Sequence, residues 1–335
     1  MAGLATRSTR QALHPERPPH VCSGAITGIV GISRRSLLAG CLGGVLEGAP
    51  ARPRVVIARD PKARVLDLLD RAMQSYFNCD TPAEAWRKVI RPGETVGLKV
   101  NCLSGKGGST SVSLTDAICE RLQQAGVKQQ NIIIWDRLNE DLESAGFRIT
   151  SRSGRIRYMG NDVLGYESEL SVYGSVGSLL SKTLTQLCDA VINLPVLKDH
   201  GIVGVTMALK NMFGAIHNPN KYHPNAGDPY VADVNMLPAI RQKVRLTICD
   251  AITAQYEGGP SYMPQWSWAS NSLLVAQDPV ALDSVGWQII EQKRSEKGMP
   301  PLKGTPREPK YIATAADARH KLGVDDPGRI ERVEV

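Results

Sequence analysis

The chain has 335 residues, 42% of them hydrophobic. That is enough to build one large or two ordinary folded cores, and it excludes bulk disorder. The formal net charge is +7, but the part not carried by the first residues is spread too thinly for the concentrated basic face of a nucleic-acid binder.

The amino terminus reads as an address. "SRRSLL" (33–38) precedes a short apolar stretch, Leu37 to Leu46, and then "EGAPARP". Paired arginines before a brief hydrophobic run fit a twin-arginine export signal. A run of about ten residues is too short to span a bilayer. The expectation is an exported, periplasmic protein that engages the twin-arginine translocation machinery, with no stable transmembrane segment in the mature chain. "LAGC" (38–41) also matches a lipoprotein box, which makes a lipid anchor at Cys41 the alternative. This divides the chain into a leader, residues 1–51, and an α/β domain, residues 52–335.

From residue 54 the pattern alternates. "RVVIAR" (54–59) is β-rich, and apolar positions 65, 66, 68, 69, 72, 73 and 76 follow a helical spacing. "TVGLKVN" (95–101) and "NIIIWD" (131–136) read as strands flanking a helix over 114–126 that stops at Gly126. Such βαβ units build parallel sheets. Residues 148–175 read as an irregular or hairpin insertion, in which Arg148, Arg152, Arg155 and Arg157 form a solvated turn. Then come a helix over 178–188, a strand over 190–196, a helix over 201–216, and strands over 244–252 and 272–277. Asp278-Pro279 has the chemistry of a helix start. The predicted fold is α/β, a mainly parallel sheet flanked by helices in a Rossmann-like three-layer arrangement with a small insertion.

Ligands of parallel sheets bind beyond the carboxyl ends of the strands. Asn101 and "SGKGGSTS" (104–111) follow one strand; Lys198, Asp199 and His200 follow another; Asp250 and "EGGP" (257–260) a third; Gln277 and Asp278 a fourth. All four are expected on one edge. The loop with Lys106, Gly107 and Gly108 could expose backbone N–H groups to an anion, although it is neither a Walker loop nor a dinucleotide fingerprint. Lys99, inside a buried strand, needs a partner or a ligand. Lys198, His200 and Lys210 are the catalytic candidates, and Lys99, Asn101, Lys106, Gly107, Gly108, Asn211, Glu257 and Asp278 the ligand-binding ones. His217, His223 and Asp250 are nitrogen and oxygen ligand types that suit zinc, iron or nickel, so a divalent metal is an optional cofactor. The seven cysteines contain no CxxC pair, which argues against an iron–sulfur cluster in this chain. Their spacing cannot choose a disulfide.

"VGLKVNCLSG…TDAICERLQQAGVKQQNIIIWD", "VINLPVLKDHGIVGVTMALKNMFGAIH", "ICDAITAQYEGGP" and "AQDPVALDSVGWQII" together resemble the bacterial and archaeal family called domain of unknown function 362, in its exported twin-arginine branch. The resemblance implies an α/β fold with recurrent polar positions at Lys99, Asn101, Lys198, His200, Lys210, Asn211, Asp250, Gly259, Pro260, Asp278 and Asp283. Some relatives carry a cysteine-rich ferredoxin-like segment, which this sequence lacks. The reading that follows is an enzyme acting on a small anionic molecule, with His200 as general acid or base. A binding or carrier protein without catalysis, and an accessory partner of an exported redox complex, are the alternatives.

Overall fold

Alternation decides the two faces of the central sheet. In the strand Arg54–Arg59 (β1), Val55 and Ile57 join one apolar cluster while Val56 and Ala58 join another, because successive side chains of a strand leave opposite faces. The computed structural model describes residues 52–150 and 154–335. The arginine pair at 34–35, Cys22, Cys41 and Arg152 lie outside the described residues.

After β1, the helix Val65–Phe77 (α1) buries Leu68, Leu69, Ala72 and Met73 and stops at Asn78, which adopts the left-handed conformation with φ 51°. The helix Pro82–Arg87 (α2) opens on a reciprocal capping box between Thr81 and Glu84. Then follow Val96–Lys99 (β2), Val112–Gln124 (α3), Ile132–Asp136 (β3), Asn139–Ser144 (α4) and Arg157–Gly160 (β4). A separate hairpin, Ser171–Tyr173 (β5) with Val176–Ser178 (β6), leads to Ala190–Asn193 (β7), Val196–His200 (β8), Gly204–Thr206 (β9) and Ala208–Asn211 (α5). The chain continues through Tyr230–Asn235 (α6), Pro238–Lys243 (α7), Val244–Gln255 (β10), Ser267–Ala276 (β11), Pro279–Glu296 (α8), Tyr311–Ala316 (α9) and Glu331–Glu334 (β12).

The main sheet runs β12-β1-β11-β10-β7-β2-β3-β4, with β8 paired to β10 and β9 to β8. From β10 to β4 every pair is parallel. One apolar cluster buries α1, α2 and α3 against the sheet, and the other buries α5, α6, α8 and α9 against its opposite face. The result is a three-layer α/β fold. From β2 the chain moves outward through β3 to β4, then returns to β7 on the other side of β2 and moves outward through β10. The seam between β2 and β7 is therefore where the strand order reverses, and its carboxyl end is the natural crevice of such a sheet.

Four expectations need correction. Residues 201–216 are not one helix: Lys198↔Thr206 pairing makes β8 and β9 a hairpin, followed by the single turn of α5 and a 3-10 turn. Residues 178–188 hold the end of β6 and one π-helical turn, Thr183–Leu187. The insertion supplies an edge strand of the main sheet, since β4 pairs with β3. Finally, β11 is antiparallel to both neighbours. Its carboxyl end therefore points away from the edge where β2, β3 and β7 end, and Asp278 goes with it.

Candidate functional site

Three lysines from three elements meet at the carboxyl end of the β2–β7 seam, and each is satisfied differently. Lys99, the last residue of β2, is 1% exposed and its Nζ lies 2.7 Å from Asp136 Oδ1, at the end of β3. It also donates to the carbonyl of Val100 (2.6 Å). Gly214 makes room for this pair: a Cβ there would lie 2.7 Å from Lys99 Nζ and 2.8 Å from Asp136 Oδ1.

Lys198, also 1% exposed, has no carboxylate within ion-pair distance among the described residues. Its Nζ donates to Asn101 Oδ1 (2.9 Å), the Gly108 carbonyl (3.0 Å), the Pro260 carbonyl (3.4 Å) and Ser104 Oγ. Neutral oxygens do not offset the cost of burying a full charge. Desolvation lowers its pKa to about 8. The Pro260 carbonyl is placed by a close backbone approach: Gly259 N–H donates to Asp199 Oδ1 (2.9 Å), and a Cβ on Gly259 would collide with the Asp199 carbonyl at 2.1 Å.

Lys210 sits in α5 and is 8% exposed. Among the described residues its Nζ has no hydrogen-bond acceptor; it lies over the Phe213 ring, 4.0 Å from the centroid. Burial first, then the charges of Lys198 and Lys99, lower its pKa to about 7. The short helix that carries it is pinned at both ends. Asp283 accepts from Ala208 N (2.7 Å) and Leu209 N (3.1 Å), while Asn211 donates to Asn193 Oδ1 (2.7 Å) and accepts from Asn101 Nδ2 (3.0 Å).

These lysines line a cavity of about 340 Å³, with Asn101, Asp136, Arg137, Asp141, His200 and His223 among its other walls. The size is that of a small-molecule site. Leu103 and Ile202, 59% and 54% exposed, also line it, so it opens to solvent. Four cations (Lys99, Arg137, Lys198, Lys210) face two carboxylates (Asp136, Asp141).

The ring of His200 is oriented by backbone amides. Its Nδ1 accepts from the Ile202 and Val203 amides (3.2 and 3.4 Å), so the neutral ring carries its proton on Nε2. Burial, and then Lys210 and His223, lower its pKa to about 2. Burial therefore favours the neutral ring, with its Nε2–H left to donate. His223 stacks beside it with ring centroids 5.4 Å apart.

The remaining sequence candidates do not join this group. His217 packs edge-on against Tyr166. Asp250 accepts from Ser111 N, Ser111 Oγ and Ile252 N, which ties α3 to β10. His217, His223 and Asp250 are not brought together, and among the described residues no group of three or more His, Cys, Asp or Glu could hold a metal ion. Glu257 is held by Arg294 and Arg307. Asp278 caps α8 through Ala281 N (2.8 Å) and also accepts from Val324 N (3.0 Å). Lys106 is exposed, and Gly108 presents its carbonyl to Lys198 instead of an N–H to an anion. The loop therefore serves as a cation cradle, the reverse of the expected polarity. The five described cysteines are free thiols. Sequence reasoning missed Asp136, Ser104 and Asn193. Asp136 closes an apolar strand on the same edge, so the rule that found Asn101 would have found it.

The family described as Domain of unknown function (DUF362) matches residues 96–288. No curated protein matches significantly. Solved structures that resemble this chain include two of note. One is a protein from Thermotoga maritima, at 9% identity and TM-score 0.42, covering 64% of this chain and 57% of that one. The other is the lactate racemase apoprotein from Thermoanaerobacterium thermosaccharolyticum, at 10% identity and TM-score 0.43, covering 71% and 57%. This chain thus spans little more than half the length of each.

Proposed function

The chain belongs to the family Domain of unknown function (DUF362), and within it we propose an enzyme whose cavity at the β2–β7 seam binds a small anionic molecule. One observation carries the reading: Lys198 and Lys210 are buried on a solvent-connected cavity and, among the described residues, neither has a carboxylate within ion-pair distance. Such charges are costly unless something completes them. A carboxylate or phosphate would do so, with the Nε2–H of His200 and the amide of Asn101 as neutral donors. Lys99 is already paired and would set the shape of the site more than its charge.

Calorimetric titration of the full chain with oxalate and with inorganic phosphate tests this. Binding should weaken by about tenfold or more in Lys198→Ala and Lys210→Ala, the scale of a lost charge-assisted hydrogen bond. Equal affinity in folded variants would overturn it. Tight retention of an anion with no turnover would support a carrier instead of an enzyme.

We also place the protein outside the cytoplasm, on the strength of Arg34 and Arg35 before the short apolar run. Cell fractionation tests it: the Arg34→Lys, Arg35→Lys double variant should accumulate in the cytoplasm, and unchanged distribution would refute the address.

A further inference from the structure

Lys99, Lys198 and Lys210 line one cavity, yet their ammonium groups have unequal surroundings. The first has a carboxylate and the second four oxygen acceptors. The third, among the described residues, has the face of Phe213 and no acceptor. An ammonium held over a ring without acceptors, beside two other cations, loses little by giving up its proton. Its neutral form gains a lone pair facing a cavity. The backbone beneath it is fixed by Asp283, Asn211 and Asn235, the last donating to the Leu209 carbonyl at 2.9 Å. A desolvated amine next to other cations is the recognised environment of a lysine that attacks carbonyl groups.

We infer that Lys210 is a covalent nucleophile that captures the carbonyl carbon of a small aldehydic or 2-oxo carboxylate as an imine, while Lys198 holds the carboxylate. The inference rests on the anion reading above and adds the substrate class. The Nζ lone pair forms a C–N bond as the C=O π pair moves to oxygen, which takes the proton released from nitrogen. The carbinolamine oxygen takes a second proton from solvent and leaves as water, giving the iminium. No oxidant or reductant is needed. The nearby titratable groups are Lys99, Arg137, Asp136 and Asp141 from the β2 and β3 side, Lys198 and His200 from β8, and His223. With a pKa of about 7, capture should grow as pH rises through neutrality.

The test is site-mapped trapping on the full chain. Glyoxylate and cyanoborohydride are added, and carboxymethylation of each lysine is read by peptide mass. Lys210 should be labelled about tenfold faster than exposed Lys106, and oxalate should suppress it. Labelling at Lys210 no faster than at Lys106 overturns the inference without any variant having to fold. Glycolaldehyde, a neutral aldehyde, separates the two readings. If it labels Lys210 as fast as glyoxylate and oxalate does not protect, the nucleophile stands and the anion site fails. If oxalate binds but neither aldehyde is trapped, the anion site stands and the nucleophile fails.

Discussion

Two neighbouring regions of this protein hold cations largely withdrawn from solvent. Beside the β10–β11 connection, Arg294 and Arg307 both clamp Glu257, and Arg307 also reaches Asp199 (3.2 Å). Every charge there has an opposite. At the β2–β7 seam, Lys198 and Lys210 have no ion-pair partner among the described residues. The first region is closed, and breaking it strands charges. The second is open, and on the reading proposed above its charges are completed by an anion. Burial alone does not separate structure from function here; completeness of pairing does.

The largest effect that would break this contrast is in the closed region. Glu257→Ala leaves Arg294 buried without its carboxylate and should cost ~3–5 kcal/mol in urea unfolding. Lys210→Met, in the open region, should instead raise stability by ~1–4 kcal/mol at pH 6, because an apolar side chain replaces an uncompensated charge. Destabilisation there would show that Lys210 is held by the fold.

The pH dependence sharpens the same point. Burial lowers the pKa of Lys198 to about 8 and that of Lys210 to about 7, below the ordinary lysine value of 10.5. Between these values and 10.5 the unfolded chain binds protons that the folded chain does not, so this contribution to stability rises with pH. Wild-type stability should climb relative to Lys210→Met from pH 7 towards pH 10, and a constant difference would refute the lowered pKa. An anion reverses the shift. Binding of oxalate at pH 8 should therefore take up about one proton, seen as heats that vary with buffer ionisation enthalpy. The affinity should fall as pH rises beyond neutrality. The smallest expected effect is Gly214→Ala, whose Cβ would press on Lys99 and Asp136; overpacking of this kind costs ~1–3 kcal/mol. Its oxalate affinity should change less than that of Lys210→Ala.

The strands at 54–59, 95–100 and 131–136 were legible because an unbroken apolar run bounded by turn residues is hard to read otherwise. Lys99, Asn101 and Lys198 stood out because polar side chains in or after buried strands need partners, and Asn211 because it interrupts an apolar stripe. The direction of β11 was not, since an apolar run carries no sign of parallel or antiparallel pairing. The spacing of Val205, Leu209, Met212 and Ile216 suits a helix, yet a hairpin and two short turns bury all four. Lys198, Asp199 and His200 lie consecutively in a fully buried strand. Local propensity argues against that, and only tertiary hydrogen bonds make it stable. The grouping of His217, His223 and Asp250 failed because ligand type says nothing about distance.

The seam has one more consequence, which concerns time. Lys99 and Asn211 hydrogen-bond across 112 positions of sequence, and Lys198 and Asn101 across 97. Contacts so far apart close long loops, whose entropy must be met before the contacts reward it. A chain that has emerged only as far as β4 carries Lys99, Asn101, Asp136, Arg137 and Asp141 of the cavity but neither Lys198 nor Lys210. Oxalate uptake would thus serve as a clock for the completion of folding, registering the docking of the two halves of the sheet.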